Sequence, residues 1–243
     1  MAQLREDILH KDDDILVLNK PAGLAVQGGS RTPLHIDAAL PALKFGADDP
    51  PRLVHRLDRD TSGVLVLARH RHAARFITRQ FAARKVAKLY WALVFGVPRP
   101  TRGTIELALA KRAGADGKAQ MRPAPRDGKP ARTDYAVLAR AGKNFSWVAF
   151  RPLTGRTHQI RAHAAAIGYP LVGDGKYRGP RAETEFGGII DPKLHLHARS
   201  LEMPHPAGEM FAIHAPLRDH MARSWETLSF DVADAPDDPF DEE

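Results

Sequence analysis

Val54-His55-Arg56-Leu57-Asp58-Arg59-Asp60-Thr61-Ser62-Gly63, with the apolar run Val64 to Ala68 behind it, is the stretch from which the fold of this 243-residue chain can be read. Alternating cations and anions lie between two short apolar runs, so the spacing predicts a tight turn or loop feeding a buried strand. Asp58 sits near the middle, where a carboxylate is costly to shelter. Asp, Thr, Ser and Gly are also ordinary turn residues whose side chains bond nearby backbone groups, and that structural reading stands beside a chemical one. Between Arg56 and Arg59, Asp58 is expected to carry its charge at neutral pH, and an anionic aspartate can act as nucleophile or base.

Towards the N-terminus, Ile15-Leu16-Val17-Leu18 is a continuous apolar run of strand length, stopped by Asn19-Lys20-Pro21-Ala22-Gly23. Pro and Gly impose a turn there, which puts Lys20 at a strand end. Residues 32–43 read as a short helix punctuated by Pro33 and Pro41, and residues 47–52 as a polar loop.

Towards the C-terminus, Val64 to Leu67 reads as a strand buried on both faces, after which Ala73, Phe76, Ile77, Gln80 and Phe81 recur at helical spacing. Arg71, Arg75 and Arg79 fall on the other side of that helix, where they can either track phosphates or form a solvated face. The next strand, Lys88 to Gly96, sets Lys88, Tyr90 and Ala92 on one face and Leu89, Trp91 and Leu93 on the other. Residues 111–130 are basic, rich in Gly and Pro and poor in apolar residues; they read as a long loop that is either an RNA-contacting element or simply mobile. Residues 133–139 and 145–153 follow as strands around a turn at 141–144.

Thr154-Gly155-Arg156-Thr157-His158-Gln159-Ile160-Arg161 is the second chemical centre. Thr157 is expected to cap a helix whose apolar face is Ile160, His163, Ala164 and Ile167 and which Gly168 ends. Arg161 then lies close to the helix start, able to reach a carboxylate from another element. His158 and His163 stand five apart without the Glu and the i, i+4 spacing of a zincin helix, so no metal is expected. Leu194 to Ala198 and Phe211 to Pro216 read as closing strands with structural histidines, followed by a short polar helix.

The chain has no cysteine, which rules out disulfides and thiol nucleophiles and suits a reducing, cytoplasmic setting. No apolar run approaches the roughly 18 residues that span a bilayer, so no membrane partner is expected. Residues 231–243 hold seven acidic residues and no basic one against a whole-chain charge of +7, which leaves +14 on the remainder. A body so basic favours a polyanion, RNA above all, although solubility alone is the plainer explanation.

Residues 55–63 resemble the signature of the RluA-type pseudouridine synthases, which carry their catalytic aspartate at the position of Asp58. The resemblance extends in order through Asn19-Lys20-Pro21-Ala22-Gly23, the Lys-x-Tyr of Lys88 and Tyr90, the octapeptide 154–161, and Leu171-Val172-Gly173-Asp174 with Tyr177. It spans about residues 14–216. It implies an α+β fold with a mixed, largely antiparallel sheet in two halves flanking a basic cleft, and isomerisation of uridine to pseudouridine in RNA without cofactor or metal. By the same resemblance Tyr90 stacks on the target base, Arg161 pairs with Asp58, and Arg56 fills the space that the flipped base vacates. The basic side chains of these motifs, Lys20, His55, Arg56, Lys88, Arg156 and His158, are the candidate RNA contacts. Residues 1–230 are expected to form the catalytic domain, 231–243 a mobile acidic tail, with no small RNA-binding domain before the first motif and a monomeric state.

Two other classes fit parts of this pattern. A glycoside or nucleoside hydrolase would use Asp58 and Asp60 as paired carboxylates, and free base would be its product. A non-catalytic RNA-binding or ribosome-assembly protein would keep its function after Asp58→Ala. Which RNA is modified is not written in these motifs.

Overall fold

The computed structural model describes residues 2–29, 34–114, 119–177 and 190–241. In chain order its first elements are α1 (Ala2–Glu6), β1 (Ile8–Lys11), β2 (Ile15–Lys20), α2 (Ile36–Ala39), β3 (Arg52–Leu53), β4 (Ser62–Ala68), α3 (Arg71–Ala82) and β5 (Ala87–Phe95). There follow β6 (Arg102–Glu106), β7 (Leu109–Ala113), β8 (Ala119–Pro123), β9 (Arg132–Ala141), β10 (Phe145–Pro152), α4 (Gln159–Ala166), β11 (Leu196–Pro204), β12 (Met210–His214) and α5 (Asp219–Thr227). The class is α+β with mostly antiparallel strands, and the chain divides into two compact units, Met1–Lys88 with His197–Leu217 and Leu89–Leu196 with Arg218–Glu243.

In the first unit β4 is the central strand. It runs antiparallel to β2, from Ile15↔Ala68 to Lys20↔Gly63, and on its other edge pairs in parallel with β11 at Ser62 and Gly63 and antiparallel with β3 at Leu67 and Ala68. Every residue of β4 is buried, as its unbroken apolar run requires. Val64, Val66 and Ala68 of β4 join Ile15 and Val17 of β2 in a core that Ala73 and Ile77 of α3 close. The helix therefore buries the stripe that its periodicity marked out, and Arg71, Arg75 and Arg79 are exposed.

The second unit holds the antiparallel order β5-β10-β9-β6. One face of β5, with Tyr90, Ala92 and Val94, packs with Val148 and Phe150 of β10 against Ile160 and Ala164 of α4. On the other face Trp91 meets Trp147 edge-on at 4.7 Å, and Trp147 meets Trp225 of α5 at 5.6 Å. The helix after Pro216 is thus not simply polar, since His220, Met221, Ser224 and Trp225 are all buried. Its histidine and serine hid the buried face, because each finds a partner: His220 Nε2 donates to the Leu194 carbonyl and Ser224 to His195.

The basic segment 111–130 is also not one open loop. β7 and β8 pair from Leu109↔Pro123 to Ala113↔Ala119, and Leu109 and Met121 dock with Ala162 and Ala165 of α4. The hairpin is stabilised by that docking rather than by any apolar pattern of its own, and its tip, residues 115–118, lies outside the described residues. In the acidic segment, Arg151 of β10 pairs with Asp238 at 3.6 Å and stacks over Phe240, while Arg102 donates to the Asp241 carbonyl.

Candidate active site

The Asp58 loop is held by groups on either side of it. Lys20, at the end of β2, is fully buried, and its ammonium donates to the carbonyls of Pro21 at 2.8 Å, Leu24 at 2.7 Å and Arg59 at 2.9 Å. The Arg59 carbonyl also accepts from Gly23 N–H, so the turn after β2 and the Asp58 loop are tied at one atom. Lys20 was expected to contact RNA; with every proton directed at a carbonyl it instead fixes the loop. Burial pulls Lys20 down to about 7 against the opposing pull of Asp60 and Asp58, and three carbonyl acceptors favour the form with three protons to give.

His55 acts as a second anchor. Along that edge of β4 the pairing passes from β11 at Gly63 to β3 at Leu67, and the Val66 N–H between them donates to His55 Nε2 at 2.9 Å. A nitrogen that accepts cannot carry a proton, and burial, with Lys88 adding to it, pushes the imidazole down to about 3, so the ring is neutral. It stacks on Phe81 of α3 at 4.7 Å. His55, too, serves the loop more than it serves RNA.

Within the loop, Thr61 N–H closes a turn on the Asp58 carbonyl at 3.2 Å, and Arg59 pairs with Asp60 at 3.0 Å. Asp58 is half-buried, and Arg56, two residues before it in the loop, is exposed and so open to a ligand. The loop ends at Gly63, whose φ of +104° suits glycine alone; a Cβ there would stand 2.2 Å from the Ala198 carbonyl oxygen. Lys88 is half-buried, and burial lowers its ammonium.

In the second unit, Arg161 of α4 is buried and makes a two-pronged pair with Asp174, both bonds 2.7 Å. Asp174 Oδ1 further accepts the N–H groups of Lys176 and Tyr177. The charges are therefore answered by hydrogen bonds as well as by each other, the condition under which a buried pair holds. Gly173 allows this turn, because a Cβ on it would lie 1.8 Å from the Lys193 carbonyl oxygen. The sequence marks Asp174 only as part of the 171–174 motif and gives it no role of its own; its pairing with Arg161 becomes visible only in the fold.

Thr157 does not cap α4. His158 occupies the cap position in the left-handed region, with φ of 51°, and makes no side-chain cap bond; Gln159, the first residue of the helix, instead ties down the turn before it. Its side-chain oxygen accepts from Arg156 N–H and the Thr154 hydroxyl, and its amide donates to the Arg132 carbonyl and Thr133 Oγ1. Thr133 in turn meets His163 Nδ1 at 3.0 Å, whose Nε2 donates to the Leu107 carbonyl. Gln159, unmarked by the sequence, is what binds the 154–161 motif to β9. His158 Nδ1 bonds the Tyr177 hydroxyl at 2.9 Å, and Arg156 Nε donates to the Pro130 carbonyl, so both candidate contacts have structural partners. Tyr90 lies half-buried on β5 opposite Phe150.

The sequence pattern of the family described as RNA pseudouridylate synthase matches residues 14–166. The Escherichia coli dual-specificity RNA pseudouridine synthase RluA is 39% identical over 212 residues, covering 86% of this chain and 92% of its own. The Vibrio cholerae ribosomal large subunit pseudouridine synthase C is 38% identical over 227 residues, covering 92% of this chain and 70% of its own. Among solved structures, human RNA pseudouridylate synthase domain containing 4 superposes with a TM-score of 0.79 at 31% identity, covering 94% of this chain and 95% of that one.

Proposed function

The chain belongs to the RNA pseudouridylate synthase family, and we propose that it uses Asp58 to isomerise uridines in large-subunit ribosomal RNA, transfer RNA or both. The reaction is balanced within the nucleotide: the bond from the sugar to N1 breaks, the base turns, and a bond from the sugar to C5 forms, with C5 losing and N1 gaining a proton. Nothing enters or leaves, so the enzyme's task is to reach, hold and turn a base. A stacked base is out of reach and must be flipped out, at a cost of roughly a few kcal/mol.

The observation that carries this reading is a half-buried carboxylate on a loop anchored by Lys20 and by His55, with an exposed arginine two residues before it. In the proposed roles Asp58 acts on the nucleotide, Tyr90 stacks on the flipped base, and Arg56 takes the place the base left, its planar guanidinium suited to stacking. Arg161 is charged and oriented by Asp174, and in this reading it serves Asp58 electrostatically. A reducing, cytoplasmic compartment agrees with the absence of cysteine.

The substrate is tested by incubating the full chain with unmodified large-subunit ribosomal RNA and transfer RNA transcripts and mapping pseudouridine site by site. Pseudouridine at discrete positions in either RNA is expected, and the modified positions name the substrate. Release of free uracil with an abasic site left behind would instead make the protein a hydrolase.

A further inference from the structure

The outward side of α3 carries cations that have no hydrogen-bond or ion-pair partner among the described residues. Arg71, Arg75 and Arg79 recur every four residues, within about 80° of arc around the helix, opposite the buried Ala73 and Ile77. Arg84 and Lys85 continue the exposed positive surface past the C-terminal end. The sequence contains no acidic residue between Asp60 and Glu106, so nothing local neutralises them.

A merely solvated face does not account for this arrangement. Solvated helices intersperse the two signs, because like charges at i, i+4 destabilise a helix and opposite charges support it. The first turn, where the helix dipole favours acids, has none and holds Arg71 instead. Arg84 occupies a left-handed position, φ 58°, at the helix end, a place that ordinarily goes to glycine. Three separate preferences are overridden in favour of positive charge.

The position of the stripe points to its partner. Phe81, in the last turn of α3, is the residue on which His55 stacks, and His55 is three residues from Asp58 on the same loop. We propose that Arg71, Arg75, Arg79 and Arg84 form a phosphate track that holds the backbone of the RNA segment flanking the target uridine. This rests on the RNA-modifying reading above and adds to it a docking surface outside the Asp58 loop. Such contacts position RNA without reading its sequence.

The test measures binding of the full-length Asp58→Asn protein to an unmodified transfer RNA transcript across a salt series, with and without Arg71→Gln, Arg75→Gln and Arg79→Gln together. Loss of three phosphate contacts is expected to make the slope of log affinity against log salt shallower by about 2 to 3. The triple Arg→Lys protein, which keeps the charges, should restore most of the slope. Matching thermal unfolding of the variants ensures that the fold is being compared with itself. An unchanged slope in the Gln variant overturns the proposal, and so does an unchanged slope accompanied by lost binding to anionic lipid vesicles, which would assign the face to a membrane surface. Pseudouridine formation by the unaltered protein is scored separately, so failure of the track and failure of the enzymatic reading are told apart.

Discussion

Asp174 gathers four hydrogen bonds on one buried carboxylate. Its carboxylate is fully buried and answers a buried guanidinium with two bonds, so Asp174→Ala takes both bonds away from a buried charge. The expected cost is about 3 to 5 kcal/mol, read as a lower urea midpoint at unchanged slope. Arg161→Lys should recover only part, because an ammonium cannot reproduce two parallel bonds to one carboxylate. Asp58 and Arg161 stood out in the sequence because charged residues beside apolar runs demand a reason. Lys20 misled for the same cause: an Asn-Lys pair after an apolar run reads as a strand surfacing. What buries it is three carbonyls, one of them on Arg59, far along the chain and reachable only once the fold brings the two turns together.

Elements whose residues bury one clean stripe were legible, and those defined by a neighbour were not. β4 and α3 followed from unbroken and helical spacing, β9 from alternation, and β10 from an apolar run ended by Pro152. The start of α4 was misread because Gln159, not Thr157, satisfies the preceding turn, and β7 and β8 were missed because their apolar contacts lie on α4. Two substitutions probe element ends. Gly63→Ala forces a Cβ into the Ala198 carbonyl of the parallel partner strand, and should leave little soluble, folded protein by circular dichroism. Arg84→Gly relieves a left-handed arginine and should stabilise the first unit by about 1 kcal/mol in thermal unfolding, while weakening RNA binding.

Across the whole molecule, stability should fall on mild acidification. Burial, reinforced by His220, pulls His195 from 6.5 down to about 4, and His163 is lowered by burial as well. Above pH 6.5 both folded and unfolded chains hold these rings neutral. Between 6.5 and about 4 the unfolded chain binds protons that the folded one refuses, so stability drops with pH across that window, by on the order of 3 kcal/mol for His195 alone. Urea unfolding at stepped pH should show this fall, and His195→Gln should flatten it. The central claim, that Asp58 performs the isomerisation, is tested most directly by comparing the unaltered chain with Asp58→Asn on the same unmodified transcript, measuring RNA binding and site-resolved pseudouridine together. The prediction is equal binding, with pseudouridine formed only by the unaltered chain. Pseudouridine appearing at the unaltered rate with Asp58→Asn would contradict the account.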